Sequence, residues 1–251
     1  MQARSQLKFD QQYLPIMDLA TKYMYLYGAG GHSKVITDIL NSLDIQVIGM
    51  FDDNPPNARF KGMEIRDGIR LMGLGFPELD APLIISVGNN LRRAELARSI
   101  AAIYGTAIHG TAIISAKATV GVGTVILHGA IVQAGTTVGE HVLVNTAASI
   151  DHDNTIGDYA HISPHATLCG HVQVGEGTHI GAGAVVIPSI RIGRWCTVGA
   201  GAVVIRDIPD FATAVGNPAK VIKVREEPDF SSIYAPLDLS SPSQPLAAND
   251  R

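Results

Sequence analysis

A six-residue repeat of apolar positions runs through the second half of the chain. Every sixth residue from Ile108 to Val204 is Ile, Val or Leu, and a small residue follows most of them four positions later. Helices repeat about every 3.6 residues and strands about every 2, so neither produces this period. A parallel β-helix does, because each six-residue unit forms one flat face and then turns a corner. Residues 108–209 therefore predict a triangular prism of between five and six coils, each of about 18 residues.

Upstream of the repeat, apolar runs alternate with helical patterns. Tyr23–Leu40 is typical of a strand, a glycine-rich turn and an amphipathic helix, and Ile45–Asn54 and Pro82–Asn90 predict two further strands. Leu91–Gly105 predicts a closing helix that ends at Gly105. This order indicates a small parallel sheet with Rossmann-like topology, whose ligands bind at the carboxyl ends of the strands.

The glycine-rich turn is the first candidate binding site. Gly30 and Gly31 would let the backbone approach a phosphate closely, the next helix offers free N–H groups, and His32 adds a polar group. Asp52 follows about 20 residues later, where NAD-binding domains place a ribose-binding acid. Ser33, however, replaces the third glycine of the NAD motif, and the domain has half the usual size. A single nucleotide carrying a diphosphate fits better.

Composition narrows the class of protein. The chain has 251 residues, 46% hydrophobic and 17% charged, with a net charge of −4, which argues against a nucleic-acid or acidic-membrane partner. Its two cysteines, Cys169 and Cys196, suggest no disulfide framework. No apolar run is long enough for a signal peptide or a membrane span, so we expect a cytoplasmic protein without membrane insertion.

Four regions are expected along the chain. They are an N-terminal extension (1–22), a Rossmann-like sugar-nucleotide-binding domain (23–106), a β-helix (107–209), and a C-terminal loop followed by a Ser- and Pro-rich tail (210–251).

Five motifs connect the two halves. YGAGGHSKV, FDDN, VGNN, VNTAASIDHDNTIGDYAHISPHATLCG and VGNPAK follow one another between Tyr23 and Val224. With the repeat, they resemble the hexapeptide-repeat sugar O-/N-acyltransferases of the sialic-acid O-acetyltransferase (NeuD-like) family, and within it the bacterial UDP-4-amino-sugar and GDP-perosamine N-acetyltransferases. The resemblance implies a left-handed β-helix after the α/β domain, and a homotrimer with acetyl-CoA bound between neighbouring prisms. The implied reaction moves an acetyl group from acetyl-CoA to the amine of a nucleotide-linked 4-amino sugar.

The resemblance also implies roles for individual residues. His152 would be the general base, and Asp153, where the family often has glutamate, would raise its basicity. The sugar nucleotide would be contacted by Gly30, Gly31, His32, Asp52, Asp53 and Gly88, with Asn145 at the sugar. Acetyl-CoA would be bound near His161, Gly170, Ala182 and Lys220, and no metal is expected.

The coil length places residues next to one another. Residues about 18 apart stack, so His152 lies between Ala134 and Gly170, which leaves space around its ring, and Asp153 lies beside His171 as a cross-coil ion pair. Asn154 interrupts the series of small residues, so we expect altered geometry there.

A histidine whose pKa is raised by a carboxylate suits general base catalysis at neutral pH. No cysteine or serine is placed beside His152 as a nucleophile, so we expect direct transfer through a tetrahedral intermediate.

Three other functions remain open. The same scaffold and base could acetylate a sugar hydroxyl. A zinc-dependent hydratase could use His152, His161, His165 and His179 from two subunits, although the first domain would then have no role. The prism could also be a trimeric spacer without catalytic function. Thiol release with amino sugars, and metal content, distinguish these hypotheses.

Overall fold

The computed structural model describes residues 22–54, 59–68 and 79–226. The predicted N-terminal extension, apart from Lys22, and the Ser- and Pro-rich tail lie outside these described residues.

The first domain is a five-stranded sheet with two described helices. Its elements are β1 (Tyr23–Tyr27), α1 (Gly31–Ser42), β2 (Gln46–Asp52), β3 (Arg59–Phe60), β4 (Met63–Asp67), β5 (Leu83–Ile85) and α2 (Asn90–Ser99). The strand order is β3-β4-β2-β1-β5, and β4, β2, β1 and β5 run parallel. The predicted Rossmann-like parallel sheet is therefore confirmed.

Two details of this domain differ from prediction. The sequence pattern missed the antiparallel β3–β4 pair, whose strands are too short and polar to give a clear signal. The predicted helix over 91–105 ends at Ser99 instead of Gly105. The chain beyond it runs extended beside β5, because Leu83 donates to the Ile103 carbonyl and Gly105 donates to that of Leu83.

Seventeen two-residue strands from β6 to β22 form the predicted β-helix, and its three faces are three parallel sheets. The first face contains β6 (Ala107–Ile108), β9 (Val125–Ile126), β12 (Leu143–Val144), β15 (His161–Ile162), β18 (His179–Ile180) and β21 (Thr197–Val198), and is extended by β23 (Ala212–Val215) and β24 (Lys220–Val224). The second contains β7 (Ile113–Ile114), β10 (Ile131–Val132), β13 (Ser149–Ile150), β16 (Thr167–Leu168), β19 (Val185–Val186) and β22 (Val203–Val204). The third contains β8 (Thr119–Val120), β11 (Thr137–Val138), β14 (Thr155–Ile156), β17 (Gln173–Val174) and β20 (Arg191–Ile192).

The hexad positions form the core of the prism. Ile150 pairs with Val132 below and Leu168 above, 18 residues away in each direction, and this register is kept on all three faces. The aliphatic residues of the middle coils are fully buried. Stacking identical apolar positions gives every coil the same interior, which explains why the repeat is uninterrupted in the sequence.

The corner between the third and first faces is covered by the first domain. Its turns carry His141, Tyr159, Trp195 and Phe211 with φ between 52° and 60°, and all four side chains are buried. A left-handed conformation costs a residue with a side chain about 1 kcal/mol or more. Packing offsets this cost, because Tyr159, Trp195 and Phe211 form one apolar cluster with Ala94 of α2. We call these four residues the covered corner.

The first domain also rests on the first face. Ile36, Ile39 and Leu40 of α1 share a buried cluster with Val125 and Leu143 of the prism. The outward residues of the third face are exposed and polar: Thr119, Thr137, Thr155, Gln173 and Arg191. The faces therefore differ strongly on the outside although they share one interior.

Candidate active site

His152 lies in the turn after β13, at the corner between the second and third faces, and its side chain is exposed. Asp153 follows in a left-handed conformation (φ 56°), which aspartate tolerates better than most residues. This turn brings one Asp153 carboxylate oxygen to 2.8 Å from His152 Nδ1. The shorter acid thus reaches the imidazole from the position where the family often has glutamate.

The carboxylate fixes the state of the ring. An ionised carboxylate only accepts hydrogen bonds, so His152 Nδ1 carries the proton and Nε2 keeps its lone pair when the ring is neutral. The hydrogen bond to Asp153 raises the pKa of His152, and the charge of Asp151 adds to this effect. A histidine of this kind can take up a proton through Nε2 at neutral pH.

Gly170 lies against the His152 ring, on the next coil. A Cβ at Gly170 would come within 2.6 Å of the ring atoms Cε1 and Nε2, closer than any real contact. The space that the sequence predicted around His152 is therefore used by the imidazole itself, and a side chain at position 170 would displace the ring.

His171 is the third polar side chain of this corner. Its Nε2 lies 3.7 Å from the same Asp153 oxygen that bonds His152, and the two imidazole rings meet edge to face with centroids 5.2 Å apart. The predicted cross-coil pair of Asp153 and His171 is thus present. We call His152, Asp153 and His171 the open corner.

Asn154 braces the open corner from inside the prism. Its side chain is buried, donates to the Asp151 and Cys169 carbonyls at 2.7 and 3.0 Å, and accepts from the Val172 N–H at 2.9 Å. The predicted change in local geometry is wrong, because β14 keeps the regular register. Asn154 instead links the turns of neighbouring coils, which fixes the backbone beside His152.

The glycine-rich turn of the first domain is open to solvent. A Cβ at Gly30 or Gly31 would contact nothing within 4 Å, and α1 begins at Gly31. Asp52 holds this turn, because its carboxylate accepts from the Ala29 N–H at 2.6 Å and from the Asn54 N–H at 2.8 Å.

Asp53, the other acid of the FDDN motif, bonds the Tyr27 hydroxyl and the Arg92 guanidinium. Gly88, in the turn after β5, is exposed. His32 lies beyond the glycines with its Nε2 buried and without a hydrogen-bond partner among the described residues. Burial lowers the pKa of His32 to about 4, and the charge of Arg93 acts in the same direction, so this ring is neutral.

Asn145 sets the proton position of His161. The Asn145 carbonyl oxygen accepts from the Thr146 N–H at 2.8 Å, so its amide nitrogen is the atom that lies 3.0 Å from His161 Nε2 and donates to it. Burial lowers the pKa of His161 to about 3, and the neighbouring His179, whose ring stacks on it at 4.9 Å, adds to this effect. His161 is therefore neutral with its proton on Nδ1.

Arg93 of α2 joins the two domains. It is fully buried and donates to the carbonyls of His141 and Tyr159 in the prism, at 2.8 and 2.7 Å, and to that of Val87 at 2.9 Å. A further bond reaches the Asn90 side chain. None of these partners is a carboxylate. Burial lowers the pKa of Arg93 to about 9, so the guanidinium still carries its charge at neutral pH. The sequence analysis missed this residue, because nothing in a helical arginine distinguishes a surface position from an interdomain one.

The predicted residues do not form one cluster in a single chain. His152 and Asp153 lie at the corner between the second and third faces, whereas His161 lies on the first face, which is opposite that corner in a triangular prism. Gly170 belongs to the corner of His152, and Ala182 to the corner between the first and second faces. Lys220 begins the exposed strand β24 at the far end of the first face.

The four histidines of the zinc hypothesis also lie apart. His161 and His179 are on the first face, His165 is at the corner between the first and second faces, and His152 is at the corner between the second and third. His161 stacks on His179, but among the described residues the one group of metal-ligand type contains His152 with Asp153 and His171. Within the described part of the chain, no helix is long and apolar enough to cross a membrane.

Known proteins match both halves. The family model of the PglD N-terminal domain matches residues 24–100, and that of the bacterial transferase hexapeptide (six repeats) matches 171–206. The solved acetyltransferase domain of PglB from Neisseria gonorrhoeae is 33% identical, with 80% of this chain and 100% of that chain covered and a TM-score of 0.74. This chain belongs to the hexapeptide-repeat acetyltransferase family that contains PglB.

Other members of this family and a viral protein are also similar. PerB from Caulobacter crescentus, solved in complex with CoA and GDP-perosamine, is 33% identical over 80% of this chain and 97% of its own, with a TM-score of 0.73. The uncharacterized protein L142 of Acanthamoeba polyphaga mimivirus is 31% identical over 102 residues, which are 40% of this chain but 20% of that protein.

Proposed function

We propose that this protein transfers an acetyl group from acetyl-CoA to the amine of a nucleotide-linked 4-amino sugar, with His152 as the general base. The observation that carries the proposal is the His152–Asp153 pair, whose 2.8 Å hydrogen bond raises the pKa of an exposed imidazole. The relatives support the substrate class, since PerB binds CoA and GDP-perosamine and PglB has been solved with acetyl coenzyme A.

The reaction needs one proton transfer. The sugar amine attacks the thioester carbonyl carbon and loses its proton to His152 Nε2, while Asp153 stabilises the resulting imidazolium through Nδ1–H. The tetrahedral intermediate then collapses, the carbon–sulfur bond breaks, and the thiolate leaves and takes up a proton. The products are an amide and CoA thiol, and no acyl-enzyme forms.

The first domain would hold the nucleotide. The open glycine turn at Gly30 and Gly31 lies at the N-terminus of α1, where N–H groups favour a diphosphate. Arg93 keeps the adjacent turn around Gly88 attached to the prism. We assign the acetyl-CoA contacts to Gly170, Ala182, His161 and Lys220, and the sugar contact to Asn145.

A homotrimer would complete the site. His152 and the first domain lie on opposite sides of one prism, so the base of one copy can meet the nucleotide held by a second copy. The second face suits contact between copies, since its outward residues are apolar or small and include Ile113, Ile131, Val185 and Val203. Both described cysteines are free, which fits the predicted cytoplasmic location.

The test is an acetyl-transfer assay with UDP- and GDP-linked 4-amino sugars and with hydroxyl sugars, read by mass spectrometry of the product. We expect acetylation of an amine, and a loss of about 10²–10⁴-fold in rate for His152→Gln with unchanged oligomeric state. His109→Gln, at a partly exposed histidine of the first coil, is the matched control and should retain the rate. Acetylation of hydroxyl sugars alone would assign O-acetylation instead, and a fully active His152→Gln would exclude His152 as the base.

A further inference from the structure

The open corner has the composition of a metal site. His152, Asp153 and His171 each offer one ligand atom, and these atoms all lie within 4.8 Å of one another. Two imidazoles and a carboxylate, with a fourth position left to water, form a ligand set that zinc accepts. The side chains are 51%, 50% and 62% exposed, so an ion can reach them from solvent.

The distances are close to those that zinc requires. Ligand atoms about 2.1 Å from a tetrahedral zinc ion are about 3.4 Å from each other. The Asp153 oxygen lies 2.8 Å from His152 Nδ1 and 3.7 Å from His171 Nε2, on either side of this value. Small rotations of the exposed side chains would bring both distances to this value.

The backbone keeps the three residues together without an ion. Asp153 and His171 occupy equivalent positions on neighbouring coils, with φ values of 56° and 60°. The His171 N–H donates to the His152 carbonyl at 3.0 Å, and Asn154 links the same two turns from inside. A folded chain thus presents the ligands in advance, and little ordering is needed on binding.

We propose that the open corner binds Zn²⁺ and that the bound ion inhibits the enzyme. Coordination through His152 Nδ1 places the ring proton on Nε2, so the lone pair that accepts the proton of the amine is lost. The ion also takes the Asp153 oxygen that holds the ring. The inhibitory part rests on the proposed function, whereas the binding part does not.

The chain offers a matched control. His109 and His128 are partly exposed and stack with centroids 3.6 Å apart, and His128 Nε2 lies 3.8 Å from Asp38. This pair does not bring three ligand atoms together. Non-specific binding to surface histidines would involve both places equally, whereas a built site involves only the open corner.

Binding is tested on the full-length protein without substrates, by equilibrium dialysis against ZnCl₂ in a buffer free of thiols and chelators. We expect one Zn²⁺ per chain in wild type and in His128→Gln, and an affinity at least about tenfold weaker in His171→Gln. Co²⁺ in place of Zn²⁺ should give the intense visible absorption of tetrahedral cobalt, and His171→Gln should lose it. Absence of binding, or equal binding by His171→Gln, would overturn the proposal whether or not the protein is an acetyltransferase.

Inhibition is measured as formation of acetylated sugar, because Zn²⁺ also binds the CoA thiol and disturbs thiol assays. Each variant is compared with its own metal-free rate. Wild type and His128→Gln should lose activity in parallel with Zn²⁺ occupancy and recover it with EDTA, and His171→Gln should need at least about tenfold more zinc. Full activity at full occupancy would overturn the inhibitory role.

Discussion

The covered and open corners of the prism have the same backbone but different chemistry. His141 and His171 occupy equivalent left-handed turn positions, with φ values of 52° and 60°. Helix α2 buries the first corner, where burial and the charge of Arg93 lower the pKa of His141 to about 4. The second corner is open to solvent, and Asp153 raises the pKa of His152 there. The repeat thus supplies turns of the same shape. Burial by α2 at one corner and the Asp153 carboxylate at the other set the pKa values of His141 and His152 in opposite directions.

The largest effect is expected for Arg93→Met, which removes the guanidinium that joins the covered corner to the first domain. The buried carbonyls of His141, Tyr159 and Val87 would lose their donor, at about 1–3 kcal/mol for each unsatisfied group. We expect a fall of at least about 3 kcal/mol in the free energy of unfolding, measured by urea denaturation.

Arg93→Lys is the informative second variant, because one ammonium group cannot reach carbonyls on two domains. It should recover only a minority of the loss. Full recovery would mean that the charge alone, and not the forked geometry, is what matters.

The next prediction compares one glycine at each corner. Gly170 lies against the His152 ring and Gly177 against Trp195, where an added Cβ would come within 2.2 Å of the indole. Gly170→Ala should keep the fold and displace the His152 ring, lowering kcat about 100-fold. Gly177→Ala should keep catalysis per folded molecule and cost about 1–3 kcal/mol of stability, with added strain from its φ of 65°. If Gly170→Ala lost stability and Gly177→Ala lost catalysis instead, the assignment of the corners would be wrong.

The third prediction concerns pH and stability. The folded-state pKa of His141, about 4, lies below the ordinary histidine value of 6.5, so the unfolded chain binds more protons between these values. Stability from this group is present above pH 6.5 and is lost as pH falls toward 4, at up to about 1.4 kcal/mol per pH unit. In His141→Gln the free energy of unfolding should depend less steeply on pH in this window than in wild type.

The smallest effect is expected for Asp153→Ala. Removal of the hydrogen bond that raises the pKa of His152 should move the acid limb of the pH–kcat profile to lower pH, and kcat should fall because the ring is no longer held. Asp158→Ala, an exposed acid at another corner, should leave the profile in place. If the acid limb does not move in Asp153→Ala, Asp153 does not raise the pKa of His152.

Most of the fold could be predicted from the sequence because the repeat is strict. Residues 18 apart stack, so counting alone placed Gly170 next to His152 and His171 next to Asp153. The interior position of Asn154 did not, since the sequence cannot show that an amide replaces the small residue and bonds two turns. The role of Arg93 was also invisible, because it depends on how α2 docks on the prism.

The turns of the covered corner contained a signal that was overlooked. Tyr159, Trp195 and His141 stand where other coils have glycine in a left-handed turn, and bulky residues at such positions indicate a covering element. The separation of His152 from His161 also followed from counting faces, since the two are nine residues, or half a coil, apart.

The most direct test is a pH titration of the imidazole resonances of His152 and His141 in one sample, assigned with His152→Gln and His141→Gln. We expect the pKa of His152 above 6.5 and that of His141 near 4. If the two histidines titrate together near 6.5, neither burial at one corner nor Asp153 at the other sets their pKa values, and the case for His152 as a tuned base fails.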